Sequence, residues 1–174
     1  PLDVPNSDRY SSGETVLTDA SNNVYWLVNL YLGDVYTAAF MMIKLDSDGN
    51  KLWNSQVIYD LGYATDFAVN SSGKLFISAS SASMVVMDTD GTLLGSNNDT
   101  TGWCVIDTGT FILNGTENGS VIAYDYDGNR LWSNDVFTDS SKSVRLLAYD
   151  GNSWYAGSSS GIIVKFSGID NSTI

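Results

Sequence analysis

The chain has 174 residues, 43% of them hydrophobic and 12% aromatic, enough for one domain with a sizeable core and not the composition of a disordered segment. Its net charge is −12, with 20 acidic residues, 8 Lys or Arg and no histidine. Such a surface repels phosphate backbones and anionic headgroups, which argues against nucleic-acid and membrane-surface roles. No run reaches the ~18 apolar residues of a membrane-crossing helix.

The predicted strands fall into four similar groups. The first group holds "TVLTD" (15–19), "VYWLV" (24–28) and "FMMIKLD" (40–46), then an Asp-Gly turn and a strand led by Trp53. The second holds "DFAVN" (66–70), "KLFIS" (74–78) and "MVVMD" (84–88), then Asp90-Gly91 and a strand around Leu94. The third holds "WCVID" (103–107), "TFILN" (110–114) and "VIAYD" (121–125), then Asp127-Gly128 and a strand led by Trp132. The fourth holds "RLLAYD" (145–150), "SWYAG" (153–157) and "IIVKF" (162–166). Asp-Gly between apolar runs is a strong hairpin signal, because glycine takes positive φ without a Cβ clash. No segment carries sustained 3.6-residue periodicity with caps, so no helix is predicted.

One hairpin phrase recurs. "KLDSDGNKLW" (44–53) returns as "VMDTDGTLLG" (86–95) and "AYDYDGNRLW" (123–132), and a degraded copy, "KFSGIDNSTI" (165–174), closes the chain. Gly49, Gly91 and Gly128 are 42 and 37 residues apart, and Ser167 follows its equivalent Asp125 by 42. A period near 40 with four strands in each predicts an all-β fold, a β-propeller of about four four-stranded antiparallel blades. The blades fall at 15–57, 64–99, 102–137 and 144–174 plus 1–6, in one domain spanning 1–174. The first strand of each group should line the inner channel. Trp53 and Trp132, on outer strands, should cover the seams between blades.

Ile174 aligns with Trp53 at the start of an outer strand, and Pro1 falls where that strand would continue. The segment "PLDVPN" (1–6) is expected to complete the fourth blade, either within its own chain or in a neighbouring copy. Pro1 and Pro5 suit an outermost edge strand. A start at Pro1 rather than Met reads as a processed chain or an excised segment.

The phrase "D-x-D-G-x-x-L-W", preceded by "L-x-x-D-G-x-x-Y-x-G-x-x-x-G-x-I", resembles the blades of quinoprotein-like (PQQ-like) β-propellers. Its clearest copies are "LLAYDGNSWYAGSSSGIIVKF" (146–166) and "VIAYDYDGNRLW" (121–132). The resemblance implies the propeller fold, with Asp46, Gly49 and Trp53, and Asp125, Gly128 and Trp132, docking adjacent blades. The chain departs from that pattern in a hairpin one residue shorter, in Gly95 where tryptophan would fall, and in Ile174 in the fourth copy.

Catalytic groups are not apparent. "GSSSG" (157–161) would place a nucleophile at Ser159, but that chemistry needs a strand-turn-helix elbow and a base, usually histidine, which the chain lacks. One cysteine, Cys104, and no histidine rule against a zinc site. Asp46, Asp48, Asp88, Asp90, Asp125 and Asp127 are spaced like calcium ligands but stop at D-x-D-G, without the distant glutamate of an EF-hand loop. They read as turn residues, with weak Ca2+ binding as the alternative and no other cofactor expected.

An insertion, "NLYLGDVYTAA" (29–39), interrupts the first repeat, and the connection "VIYDLGYATD" (57–66) should emerge on the same end. Tyr31, Tyr36, Tyr59 and Tyr63, flanked by Asp34 and Asp60, are expected to form a binding face for protein or sugar. Asn70, Asn98, Asn114, Asn118 and Asn171 head N-x-[ST] sequons in expected turns, as glycosylation acceptors would. The combined expectation is a non-catalytic propeller, extracellular or at the cell surface. It would act through protein contacts, with copies of itself as partner and a self-assembling surface structure or filament as the setting. The alternatives are a carbohydrate-binding module and a half-ring of a quinoprotein-like enzyme.

Overall fold

The structure, a computed structural model, describes residues 9–32, 37–139 and 142–167. All the regular structure described is β. The first sheet contains β1 (Arg9–Thr18), β2 (Val24–Leu32), β3 (Thr37–Leu45) and β4 (Lys51–Asn54), with β5 (Ile58–Tyr59) added beside β3. The second contains β6 (Ala64–Val69), β7 (Leu75–Ala79), β8 (Ala82–Met87) and β9 (Leu93–Asn97). The third contains β10 (Gly102–Asp107), β11 (Ile112–Thr116), β12 (Ser120–Tyr124) and β13 (Arg130–Asp135). The fourth contains β14 (Val144–Tyr149), β15 (Ser153–Ser158) and β16 (Ile163–Ser167). Every sheet is an antiparallel meander in chain order.

Local turn chemistry explains the meanders. In the β3–β4 connection the Gly49 amide donates to the Asp46 carbonyl, and Gly49 sits at φ +82. The Asp46 carboxylate accepts the amides of Asp48 and Asn50 and the Asn50 side chain. Asp125 repeats these bonds with Asp127 and Asn129. A short acid therefore satisfies the turn's amides, while glycine supplies the left-handed step. Between β1 and β2 the same turn uses Asp19, with Asn22 at φ +62 taking the glycine's place.

The four sheets stack as blades. Their first strands lie side by side in the order β1, β6, β10, β14. One core joins blades one and two through Tyr25, Leu27, Phe40 and Met42 against Phe67, Leu75, Ile77 and Val85. A second joins blades two and three through Phe76, Met84 and Val86 against Ile112, Ile122 and Tyr124. A third joins blades three and four through Leu113 and Val121 against Val144, Trp154 and Ala156. Alternation makes this work: successive residues of a strand serve opposite seams.

One expectation needs correction, and the inserted segment takes a definite form. Over its described part, the segment 29–39 extends the β2–β3 hairpin. Asn29, Leu30, Tyr31 and Leu32 pair with Phe40, Ala39, Ala38 and Thr37, and β1 starts at Arg9 to pair with the same stretch. An alternating apolar run extends its hairpin more readily than it leaves backbone groups unpaired. Asn114 does not lie in a turn. It is on β11, 0% exposed, and donates to Ser78, which leaves no room for a glycan. Asn70 heads its turn but is only 6% exposed, its side-chain oxygen held by the amides of Ser72 and Lys74. Asn98 and Asn118 are exposed. Pro1, Pro5, the segment 1–6, Asp34, Tyr36, Asn171 and Ile174 lie outside the described residues, so the predicted completion of blade four lies there too.

Candidate functional site

Each first strand carries one irregularity, at the start of β6, β10 and β14 and in the middle of β1. The pairing register shifts between Gly13 and Val16 in β1, Ala64 and Asp66 in β6, Gly102 and Cys104 in β10, and Val144 and Leu146 in β14. A bulge adds a residue opposite one partner and re-aims its side chain. The residues placed inside these shifts include Glu14, Thr65, Trp103 and Arg145. All four line one cleft of about 390 Å³, together with Asn29, Tyr31, Tyr63 and Ala64. The cleft is thus the mouth of the space enclosed by the first strands. The D-x-D-G hairpins follow the other ends of the strands, so those aspartates stand at the opposite end of the blades.

Its walls are held by bonds across the seams. Asn29 donates to the Ala64 carbonyl at 2.8 Å and accepts the Ala64 amide at 2.9 Å, acting as a strand partner between blades one and two. The Thr65 hydroxyl donates to the Gly102 carbonyl at 3.0 Å between blades two and three. Gly62 at φ +78 lets the chain run against the Ser80–Ser81 turn, and the Tyr63 amide donates to the Ser80 hydroxyl at 2.9 Å. That fixes Tyr63 beside Tyr31, with ring centroids 5.0 Å apart and planes tilted by 37°.

The charge in the cleft is uneven. The Arg145 guanidinium lies over the Trp103 ring at 3.3 Å, and its Nε donates to the Ser143 hydroxyl at 2.9 Å. Among the described residues no carboxylate lies within 4.0 Å of it, whereas Lys44, Lys74, Arg130 and Lys142 each have an acidic partner. The Trp103 indole N–H is buried without an acceptor among the described residues. Glu14 accepts from the Ser12 hydroxyl on the facing wall.

Of the four tyrosines singled out in the sequence, the structure brings together Tyr31 and Tyr63. Tyr59, on β5, is 48% exposed and has no ring partner among the described residues. Trp53 lies on the seam between blades one and two. Its indole N–H donates to the Thr89 carbonyl at 3.0 Å, and its ring meets Tyr25 edge-on at 6.2 Å. Trp132 meets Phe111 edge-on at 6.1 Å, and Phe111 in turn contacts Trp154 of blade four. The two carboxylate oxygens of Asp46 and of Asp125 are occupied by turn donors. No group of three or more metal-ligating side chains forms among the described residues. Sequence reading missed Asn29, Trp103 and Arg145. A bulge is defined by the partner strand, and Asn29 works 35 residues away from the backbone it holds.

Two groups beside the cleft, the half-buried Asp66 and the buried Cys104, have testable chemistry. Burial raises the Asp66 carboxyl above 3.8, outweighing the amides of Val105 and Phe67 that favour the charged form. Between the unfolded and the raised folded value the native state holds a proton that the unfolded state lacks. This group's contribution therefore improves as pH falls through the raised value, and its ionised form is a cost at neutral pH. Asp66→Asn keeps an acceptor for the Val105 amide, bonded at 3.0 Å, and should raise the thermal midpoint at pH 7. The gain should shrink toward pH 4 in melting curves recorded at both values. The turn aspartates act in the opposite sense. Asp46, held by the Asn50 side chain above all, and Asp150, held by the Ser153 amide above all, are lowered; their support is lost as pH falls through those lowered values. The Cys104 thiol is pushed up to about 12, first by burial and then by the nearby Asp66 carboxylate. It should resist alkylation in the native protein at pH 8 and react only on unfolding, as mass spectrometry would read.

Four antiparallel meanders stacked about the line of their first strands define a β-propeller-like protein. No protein-family model matches the chain, and no curated protein is significantly similar to it. Solved structures share its fold. BamB from Moraxella catarrhalis superposes with a TM-score of 0.63 at 17% identity over 89% of this chain. The computationally designed Ika4 protein does so with a TM-score of 0.64 at 14% identity over 88%. The chain spans 43% of the BamB structure and 91% of Ika4. At these identities the likeness is one of fold.

Proposed function

We propose that this chain is a non-catalytic propeller that works by protein–protein association, with a second copy of itself as partner. The supporting observation is the outward face of blade four. Ile163 is 75% exposed, while the residues at its register position in the other blades, Met42, Met84 and Val121, are each 0% exposed against the following blade. Leu146 is 70% exposed where its counterpart Cys104 is 5%.

That face also repeats the chemistry of a working seam. On blade one, Lys44 lies over the Tyr25 ring and the Tyr25 hydroxyl donates to Asp19, and blade two covers them. On blade four, Lys165 lies over Tyr155 and the Tyr155 hydroxyl donates to Asp150 at 2.9 Å. Blade one, for its part, leaves Val16 57% exposed on the side facing away from blade two. The pairing proposed is therefore blade four of one copy against blade one of the next, a heterologous contact that closes into a ring or continues as a filament.

The quinoprotein-like character of the repeat remains part of this reading, carried by the Asp-Gly-Trp hairpins. So does an extracellular or cell-surface setting, to which the exposed sequons at Asn98 and Asn118 contribute. Sedimentation velocity across a wide concentration range tests the association. Assembly that grows with concentration supports it; a monomer at every concentration overturns it.

A further inference from the structure

The cleft built by the four bulges has a composition that none of the blade seams shares. Among the described residues its one cation is Arg145, which is stacked on Trp103 and has no acidic partner there, in a chain of net charge −12. The stack sets the guanidinium plane, and the Ser143 hydroxyl takes up Nε. What remains to recruit a ligand is the pair of Nη groups, a planar fork matched to a carboxylate.

The aromatic rings in the cleft are used differently from those of a sugar site. Arg145 caps the Trp103 face at 3.3 Å, and Tyr31 and Tyr63 lie against each other at 5.0 Å. These contacts favour a charged group over a stacked pyranose ring. The cleft volume of about 390 Å³ suits a few residues of extended chain. Glu14 on the facing wall sets a limit: it opposes ligands of high negative charge and leaves room for one carboxylate beside neutral groups.

We propose that this cleft binds a polypeptide segment through a single carboxylate, held end-on by the Nη groups of Arg145. The carboxylate is a chain terminus or an acidic side chain. Trp103 is a positioning residue that fixes the guanidinium, and Tyr31 and Tyr63 form the apolar wall beside it. The inference rests on the cleft and not on the outward face of blade four, so it stands whether or not the chain associates.

The test is titration of the full chain, followed by NMR at the Arg145 Nε–H and at the buried Trp103 indole N–H. Four probes are compared: acetyl-Gly-Gly-Phe as the free acid, the same peptide as its C-terminal amide, acetyl-Gly-Glu-Gly amide and a glucuronate disaccharide. Binding of the free acid and not of the amide identifies a terminus as the source; binding of the third probe identifies a side chain. In either case Arg145→Gln should weaken binding about tenfold or more, the loss expected for hydrogen bonds to a charged group. Glu14→Gln should tighten it by about two- to fivefold, since it removes a like charge from the rim. Failure of both the free acid and the glutamate peptide to bind, the amide binding as well as the free acid, or unchanged binding by Arg145→Gln overturns the proposal, as does binding confined to the glucuronate disaccharide. Repeating the titration with Ile163→Asp separates the cleft from association, because Ile163 lies on the outward face of blade four and is not among the residues that line the cleft.

Discussion

Replacing Ile163 with aspartate should abolish self-association while leaving the isolated chain folded. The side chain is 75% exposed, so the substitution removes little from the core, and surface changes of this kind usually stay within about 0.5 kcal/mol. A seam with another copy would place the same position among groups like those around Met42, Met84 and Val121, all 0% exposed. An uncompensated charge buried there costs about 3–5 kcal/mol, or roughly a hundred- to a thousandfold or more in the association constant. Sedimentation velocity reads the loss, and a melting curve unchanged at low concentration shows that the fold is intact. Ile163→Thr keeps the β-branched shape and should weaken association less. Wild-type association in the aspartate variant would remove blade four from the interface.

The second large effect is predicted at Asn29. It is 2% exposed and holds both backbone groups of Ala64, itself 1% exposed, across the seam between blades one and two. Asn29→Ala leaves a buried carbonyl and a buried amide without partners. At about 1–3 kcal/mol for each, the loss is roughly 2–6 kcal/mol, a fall of about 10 °C in the melting midpoint for a domain of this size. Asn29→Asp should cost at least as much, because it sets a carboxylate oxygen against the Ala64 carbonyl. Either variant should also disturb the Tyr31–Tyr63 contact, since Asn29 and Tyr31 lie on the same strand beside the cleft. Near-ultraviolet circular dichroism would follow that change separately from stability.

The contrast between Asp46 and Asn29 explains what the sequence displays and what it hides. Asp46 acts within five residues. It satisfies amides at positions 48 and 50 while Gly49 takes φ +82, so the D-x-D-G phrase is legible wherever it occurs. Strands, hairpins and the repeat follow from such local chemistry. Asn29 instead acts on Ala64, and its role depends on a contact that exists only once blades one and two have stacked. The bulge residues are hidden for a related reason. Glu14, Thr65, Trp103 and Arg145 share no side-chain type; what unites them is that each falls out of register with the second strand. Asn114 shows the reverse error. Its N-x-T phrase suggests a surface acceptor, but the alternation of β11 turns it inward to Ser78.

The bulges also separate two tasks that most sheet positions must perform together. A residue on a covered face of a blade is constrained by the neighbouring blade, as the fully buried Met84 and Val121 are. A residue inside a bulge leaves that alternation and faces the channel mouth instead. Four such positions therefore form a small variable panel on a fixed frame. An acid, an alcohol, an indole and a guanidinium already occupy it side by side without disturbing the seams. Recombining those four side chains would produce a family of clefts with different preferences on one unaltered scaffold, and duplication of a blade would supply a further position each time.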